Sequence, residues 1–216
     1  MKASGVDRAV IARALLEVGA VSVRTDPLYE FSSGLRSPIY TDNRRLASHP
    51  AQRAAVTNAL MQLVASWSPR ADGIVGVATG GVPWAAWLAD RMTLPLLYVR
   101  ASAKDRGLEK QVEGDVSTCT DVIVVEDLIT TGTSSARAVA AIRGAGPHVA
   151  GVVSIFSYDL PFAQRLFADL DIRVASLIGI DDVVSAAADR LSRAEVDAIE
   201  QWQLGLADYT PTADAR

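Results

Sequence analysis

The chain has 216 residues, half of them hydrophobic and 21% charged, with a formal net charge of −4 at neutral pH. Those figures suit one globular domain of roughly 100–200 residues plus a small appendage, and the acidic balance argues against a broad nucleic-acid footprint. No apolar run approaches the roughly 20 residues that cross a bilayer, and the N-terminus carries no signal-peptide core. One cysteine, Cys119, excludes an internal disulfide, and with only two histidines beside it no zinc cluster is expected. A cytoplasmic enzyme fits these limits, though they do not select one.

Ser4-x-x-Asp7 reads as the capping signal of a first helix, along which Val10, Ile11, Ala14, Leu15 and Val18 repeat at helical spacing as far as Gly19. From Ala20 to Asn43 the pattern shifts to short extended pieces, broken by Pro27, Ser33-Gly34 and Ser37-Pro38. Pro50 restarts a helix whose stripe is Val56, Leu60, Leu63, Val64 and Trp67. Then the chain alternates. Strands are predicted at 73–78, 95–99, 121–125, 149–156 and 172–177, and helices near 82–92, 133–143 and 161–169. Alternation of this kind predicts an α/β fold with a mostly parallel sheet and helices on both faces. Ser192-x-x-Glu195 is a capping box for a last helix running to Trp202, and the tail from Asp208 is expected to fray. Trp67, Trp84, Trp87 and Trp202 read as core or dimer-interface residues, and Tyr40 and Tyr158 as packing aromatics.

The most informative run spans Val122 to Ser135. Val122 to Val125 is wholly apolar and β-branched, which reads as a strand buried on both faces. It is expected to stop at two adjacent carboxylates, Glu126 and Asp127, and to give way to the Thr130–Ser134 loop. Ala136, Val139, Ala140 and Ile142 then fall on one helical face. Open α/β sheets bind ligands at the C-terminal ends of parallel strands, and a small-residue loop feeding a helix offers backbone N–H groups to a phosphate. Two carboxylates beside such a site oppose a bare phosphate but suit a ligand with hydroxyls or a divalent cation. A sugar phosphate meets both demands. Neither Gly76-Val77-Ala78-Thr79-Gly80-Gly81 nor the 130–135 loop carries the Gly-Lys-Ser/Thr of a P-loop.

Arg100 to Ser117 joins two predicted strands without a convincing helix, and connections longer than about 12–15 residues are usually functional or disordered. It holds Arg100, Lys104, Arg106 and Lys110, with Gly107 and Gly114 as hinge candidates, a composition suited to a cationic lid over a pyrophosphate.

The Val122–Ser135 run resembles the phosphoribosyl pyrophosphate (PRPP) motif of type I phosphoribosyltransferases. Two further stretches narrow the likeness. Phe31-Ser32-Ser33-Gly34-Leu35-Arg36-Ser37-Pro38-Ile39-Tyr40, followed by Thr41-Asp42-Asn43-Arg44, resembles the N-terminal signature of the orotate phosphoribosyltransferases, and Tyr98 to Gly107 resembles their catalytic loop. The likeness extends over about residues 7–160 and departs at four places. Ala101 follows the loop arginine where many members have lysine, Arg106 replaces the loop histidine, and Ser32 and Gly80 stand where many members have lysines. Arginine keeps charge and donors at position 106 but cannot release a proton near neutral pH.

The resemblance implies a single domain, with an N-terminal helix and small hood over 1–48, an α/β core over 49–180, and C-terminal helices and tail over 181–216. It implies transfer of phosphoribose from PRPP to orotate, with Mg2+ as cofactor held mainly through PRPP oxygens and not by direct protein ligands. Arg100, Lys104 and Asp127 would be catalytic. PRPP would be held by Arg100, Lys104 and Arg106 together with Glu126, Asp127, Leu128, Ile129, Thr130, Thr131, Gly132, Thr133 and Ser134. Thr79, Gly80 and Gly81 would form a pyrophosphate loop. Orotate would meet Thr130, Phe31, Ser32 and Arg44, the last on charge alone, with a structural ion pair an equal alternative. Members of the family act as twofold dimers in which the lid of one subunit reaches the neighbour's pocket, so a homodimer with a shared lid is expected, with neither nucleic acid nor membrane as partner. Two other readings stay open from the residues: a phosphoribosyltransferase for another base, and a PRPP-binding regulator on the same fold.

Overall fold

In the computed structural model, which describes residues 7–31, 33–68, 70–101, 111–206 and 209–210, helix α1 (Arg8–Glu17) starts from Asp7. That residue is itself the N-cap, accepting a hydrogen bond from the Val10 N–H at 3.2 Å, so the cap sits three residues after the expected Ser4, which lies outside the described residues. The extended pieces that follow form two small antiparallel pairs. Strand β1 (Val21–Val23) pairs with β4 (Ile39–Thr41), and β2 (Tyr29–Glu30) with β3 (Arg36–Ser37). A 3-10 turn over Asn43–Ser48 leads into α2 (Pro50–Trp67), whose first residue is the proline expected there.

The remaining strands are β5 (Gly73–Val77), β6 (Leu96–Val99), β7 (Val112–Glu113), β8 (Asp121–Ile129), β9 (His148–Ser157) and β10 (Val174–Gly179). They form one six-stranded sheet in the order β10-β9-β8-β5-β6-β7. All neighbours are parallel except β7, which runs antiparallel to β6. Helices α3 (Gly81–Met92), α4 (Thr133–Ala145) and α5 (Pro161–Asp169) are the crossovers. Because β5→β6 and β8→β9 step in opposite directions along the sheet, right-handed crossovers put α3 on one face and α4 with α5 on the other. Both faces are therefore covered. Val122 to Val125 and all of β5 are accordingly buried, which explains their unbroken apolar character.

Three expectations need correction. The motif strand does not end at the carboxylates. It continues to Ile129 and carries Glu126 and Asp127 within it, because β9 goes on pairing as far as Ile129↔Ser157. The Arg100–Ser117 connection is not structureless throughout: Val112 and Glu113 return along β6 as β7, and Val116–Thr118 forms a 3-10 turn. A two-residue strand is too short to leave a period-2 signal. A helix α6 (Ile180–Ala186) follows β10 directly; it is one of the C-terminal helices expected over 181–216, but it starts a residue before that bound and carries no readable pattern of its own. Seven residues give too little periodicity to read. It is held by Asp182, which accepts from the Gly179 N–H at 2.8 Å and pairs with Arg8 of α1. The last helix, α7 (Arg193–Leu204), begins with the expected box, Ser192 bonding Glu195 N–H and Glu195 bonding Ser192 N–H.

Cys119 is buried and touches the backbone of Gly73, so it is a packing residue. The direction of the crossovers reverses between β5 and β8, and such a switch point opens a crevice at the C-terminal ends of its two strands.

Candidate active site

Pairing between β5 and β8 ends at Gly76↔Val125, while β8 runs on beside β9 alone. Beyond Val125 one edge of β8 is thus free, and the loop after β5 folds across it. Glu126 turns beneath the start of α4, where Ser134 and Ser135 donate to its carboxylate at 3.0 and 3.3 Å. Asp127 turns to the opposite loop and lies against the Cα of Gly80. A Cβ there would overlap both carboxylate oxygens, so any other residue requires the carboxylate or the loop to shift. The Ala78–Thr79 peptide next to it is cis.

Burial pushes the Glu126 carboxyl well above its ordinary range, with the neighbouring charge of Asp127 as the second cause. Asp127 is also raised by burial, less strongly, because hydrogen bonds to its carboxylate oppose the effect. Two carboxylates held side by side in a poorly hydrated crevice are a destabilising arrangement for the free protein. Donor hydroxyls or a cation would relieve it.

At the other end of the loop, Gly132 caps α4 with φ +78°, and no side chain bonds the free N–H groups of the first turn. A Cβ on Gly132 would press within 2.8 Å of the Phe167 ring, so glycine is required by space as well as by dihedral. Unpaired first-turn N–H groups with no acidic residue among them form an anion site.

These parts enclose a cavity of about 700 Å³. Of the residues expected from sequence, Phe31, Arg44, Thr79, Gly80, Glu126, Asp127, Leu128, Thr130, Thr131, Gly132, Thr133 and Ser134 line it. Gly81 opens α3 behind it, where its Cα packs on the carbonyl of Val125. Ile129 is buried and its side chain borders a separate, smaller cavity beside α5, together with Phe167. Arg100 does not border the cavity; its guanidinium lies 3.6 Å from Glu113 of β7. Ser32, Lys104 and Arg106 fall outside the described residues. Arg44 makes the ion pair that was its alternative reading, at 2.6 Å from Asp42, while still bordering the cavity mouth. That hydrogen bond holds Asp42 below its usual range.

A family model, the phosphoribosyl transferase domain, matches residues 42–165. An orotate phosphoribosyltransferase of Bacillus cytotoxicus is 40% identical over 92% of this chain and 95% of its own length. The chain belongs to the orotate phosphoribosyltransferase family. Among solved structures of orotate phosphoribosyltransferases, that from Aeropyrum pernix has a TM-score of 0.74 and 34% identity, covering 82% of this chain and 98% of the other. The Mycobacterium tuberculosis protein in complex with PRPP has a TM-score of 0.60 at 27% identity, covering 83% of this chain and 93% of the other.

Within the orotate phosphoribosyltransferase frame, several cavity residues were not singled out from sequence: Glu30, Ser33, Tyr40, Thr41, Asn43 and Arg137. Asn43 donates to the main-chain oxygen of Asp127 at 2.6 Å, tying the hood to the acid-bearing strand. Among the described residues, Ser33 Oγ, Thr41 Oγ1 and Asn43 Oδ1 are buried with no hydrogen-bond partner. Buried polar atoms are normally paired, so three orphans around one cavity mark a place where a ligand or water completes the bonding. Tyr40 is not only a packing ring: it stacks on Tyr29 at 5.4 Å and also faces the cavity. Arg137 had a readable signal, since it stands four residues after Thr133 and so on the same helical face. Ser33, Tyr40, Thr41 and Asn43 lie within the Phe31–Arg44 signature, but their individual places at the cavity had no local signal, and the bond of Asn43 to Asp127 is long-range.

Proposed function

We propose that this chain transfers the 5-phosphoribosyl group from PRPP to orotate, giving orotidine 5'-phosphate and pyrophosphate in pyrimidine biosynthesis. One observation carries it: a buried acid pair and an uncapped helix N-terminus share a cavity whose opposite wall is the Phe31–Asn43 hood. The first-turn N–H groups of α4 suit the 5-phosphate, with Arg137 at the rim adding positive charge. Glu126 and Asp127 suit the ribose hydroxyls, whose O–H groups would add donors to two desolvated carboxylates. The hood supplies polar and aromatic groups for a planar base.

In the reaction, the bond from the anomeric carbon to pyrophosphate breaks and a bond to the orotate ring nitrogen forms. Positive charge grows on the ribose and negative charge on the leaving pyrophosphate. The acid pair would hold the ribose, and Thr79 and Gly80, which border the same cavity beside Asp127, would help keep water out. Lys104, Arg106 and Arg100 are the cations available to the departing pyrophosphate. Since Arg100 borders no part of its own chain's cavity, its placement supports a lid that serves a second subunit. We therefore propose a homodimer, in the cytoplasm; no helix among the described residues is long and apolar enough to cross a membrane.

Mg2+ fits this donor set. The Glu126–Asp127 pair is desolvated, and a divalent cation nearby would offset its negative charge. Such a site suits an ion carried in on phosphate oxygens, with Glu126 and Asp127 supporting it through the ribose hydroxyls. Bound there, Mg2+ would neutralise charge on the pyrophosphate.

Incubating the protein with PRPP, Mg2+ and each of orotate, uracil, adenine, guanine and hypoxanthine, while measuring pyrophosphate, tests the assignment. Release is expected with orotate. Release only with another base, or with none, would overturn it.

A further inference from the structure

The hairpin that carries the base-facing residues is a weak element. Strands β2 and β3 have two residues each and pair only with one another, through Tyr29↔Ser37 and Glu30↔Arg36. Its turn is closed by Phe31 N–H to Leu35 O and Gly34 N–H to Phe31 O, both at 2.9 Å. An isolated two-stranded hairpin is marginal in water. Yet Glu30, Phe31 and Ser33 all border the cavity, so this element must be held still for a base to be recognised.

Two donors from the C-terminal end of the chain reach it. The Trp202 indole N–H, on α7, bonds the main-chain oxygen of Arg36 at 2.6 Å. The Tyr209 hydroxyl bonds the main-chain oxygen of Ser33 at 3.2 Å. One acceptor lies within the turn and the other just after it. The Trp202 ring also lies edge-on to Tyr158 at 6.1 Å, and Tyr158 in turn meets Phe31 at 5.2 Å. Tyr158 is fixed from the core side, where its hydroxyl accepts from Thr41 N–H at 3.1 Å. The hairpin is thus gripped from both sides, by main-chain bonds from the C-terminal end and by a ring contact from β9. Neither Trp202 nor Tyr209 borders the cavity.

We infer that Trp202 and Tyr209 are positioning residues for orotate, with the C-terminal helix and tail acting as a clamp on the base-facing hairpin. The inference deepens the proposed reaction and rests on it for the identity of the base. The clamp leaves the acid pair and the α4 N-terminus untouched, because none of their hydrogen bonds involves α7 or Tyr209. Its removal therefore acts on one substrate only.

The test compares wild type with Trp202→Phe, Tyr209→Phe and the double variant, substitutions that keep an aromatic ring, a smaller one at position 202, and remove the donors. Steady-state rates are measured against orotate and against PRPP, and amide hydrogen exchange is followed at Phe31 and Gly34. Each single change is expected to raise the orotate KM about 5-fold, the worth of one neutral hydrogen bond, with the PRPP KM and kcat within about twofold. Exchange at the Phe31 and Gly34 amides should quicken while β8 amides stay as in wild type. Unchanged exchange in the double variant overturns the clamp, and so does quickened exchange with an unaltered orotate KM, or loosening spread evenly through β8. A wild type that turns over no orotate while the variants still loosen the hairpin alone would sink the proposed reaction and leave the mechanical clamp standing.

Discussion

Glu126 and Asp127 are adjacent in a strand, so their side chains leave it on opposite sides, one under α4 and one against Gly80. Each is desolvated, and the raised pKa of Glu126 means that the free protein holds that proton more tightly than the unfolded chain does. The sign follows. Between the unfolded and folded values the native state binds more protons, so stability is full below the unfolded value and falls as pH rises through the folded one. Asp127→Ala removes one member of a repelling pair, so the melting temperature should hold or rise while PRPP affinity is lost; unchanged affinity by calorimetry would remove this motif from the site. Ribose hydroxyls bind best to ionised acceptors, so PRPP binding at a pH where Glu126 still holds its proton should release that proton, seen as a binding heat that varies with the ionisation heat of the buffer. Glu126→Gln should abolish that dependence, and if it persists in full the proton comes from elsewhere. The pair itself was legible in the sequence, because carboxylates directly after four β-branched residues have few structural uses. Asn43 was not, since what gives it a role is a bond to a main-chain oxygen 84 positions away.

Elements were read best where a period had room to repeat. β9 and α2 gave long uninterrupted patterns, whereas β7, with two residues, and α6, with seven, gave none. The end of β8 was misjudged for a physical reason. Charge normally marks the edge of a buried strand, but here the strand outlasts its neighbour β5 and its acids face a crevice instead of a core. The same local geometry fixes the loop after β5. Gly80 has its Cα against the Asp127 carboxylate, so a side chain at this position would meet that carboxylate while the loop keeps this course. Gly80→Ala must move either the loop or the carboxylate. Overpacking of that kind costs about 1–3 kcal/mol, and where the displaced loop and carboxylate put that cost on PRPP binding, the PRPP KM rises roughly 5- to 150-fold. The damage is local to the loop, so the melting temperature should shift little. A variant with wild-type PRPP KM would mean that the loop rearranges freely and that Gly80 is incidental.

At the scale of the whole molecule, the open question is whose pocket the lid serves. Its two ends are joined by Arg100 N–H to Gln111 O at 2.9 Å, on the β6–β7 pair. In the sheet order, β7 stands three strands from β8, roughly 14 Å at the usual strand spacing. Ten residues, 101–110, connect those ends, a length of chain able to reach either its own pocket or one across a twofold interface. Subunit mixing separates the routes. An Asp127→Ala subunit has a dead pocket and an intact lid; a Lys104→Ala subunit has the reverse, and on the scale of a lost oxyanion donor its own kcat should fall roughly 10²–10³-fold. If lids are exchanged, each mixed dimer regains one site, built from the second subunit's pocket and the first subunit's lid. Random reassortment makes about half the dimers mixed, so activity should return to about a quarter of wild type. If each lid closes over its own pocket, every site stays damaged and the mixture gains nothing. Native mass spectrometry confirms that subunits have exchanged, and no recovery after that exchange would rule out a shared site.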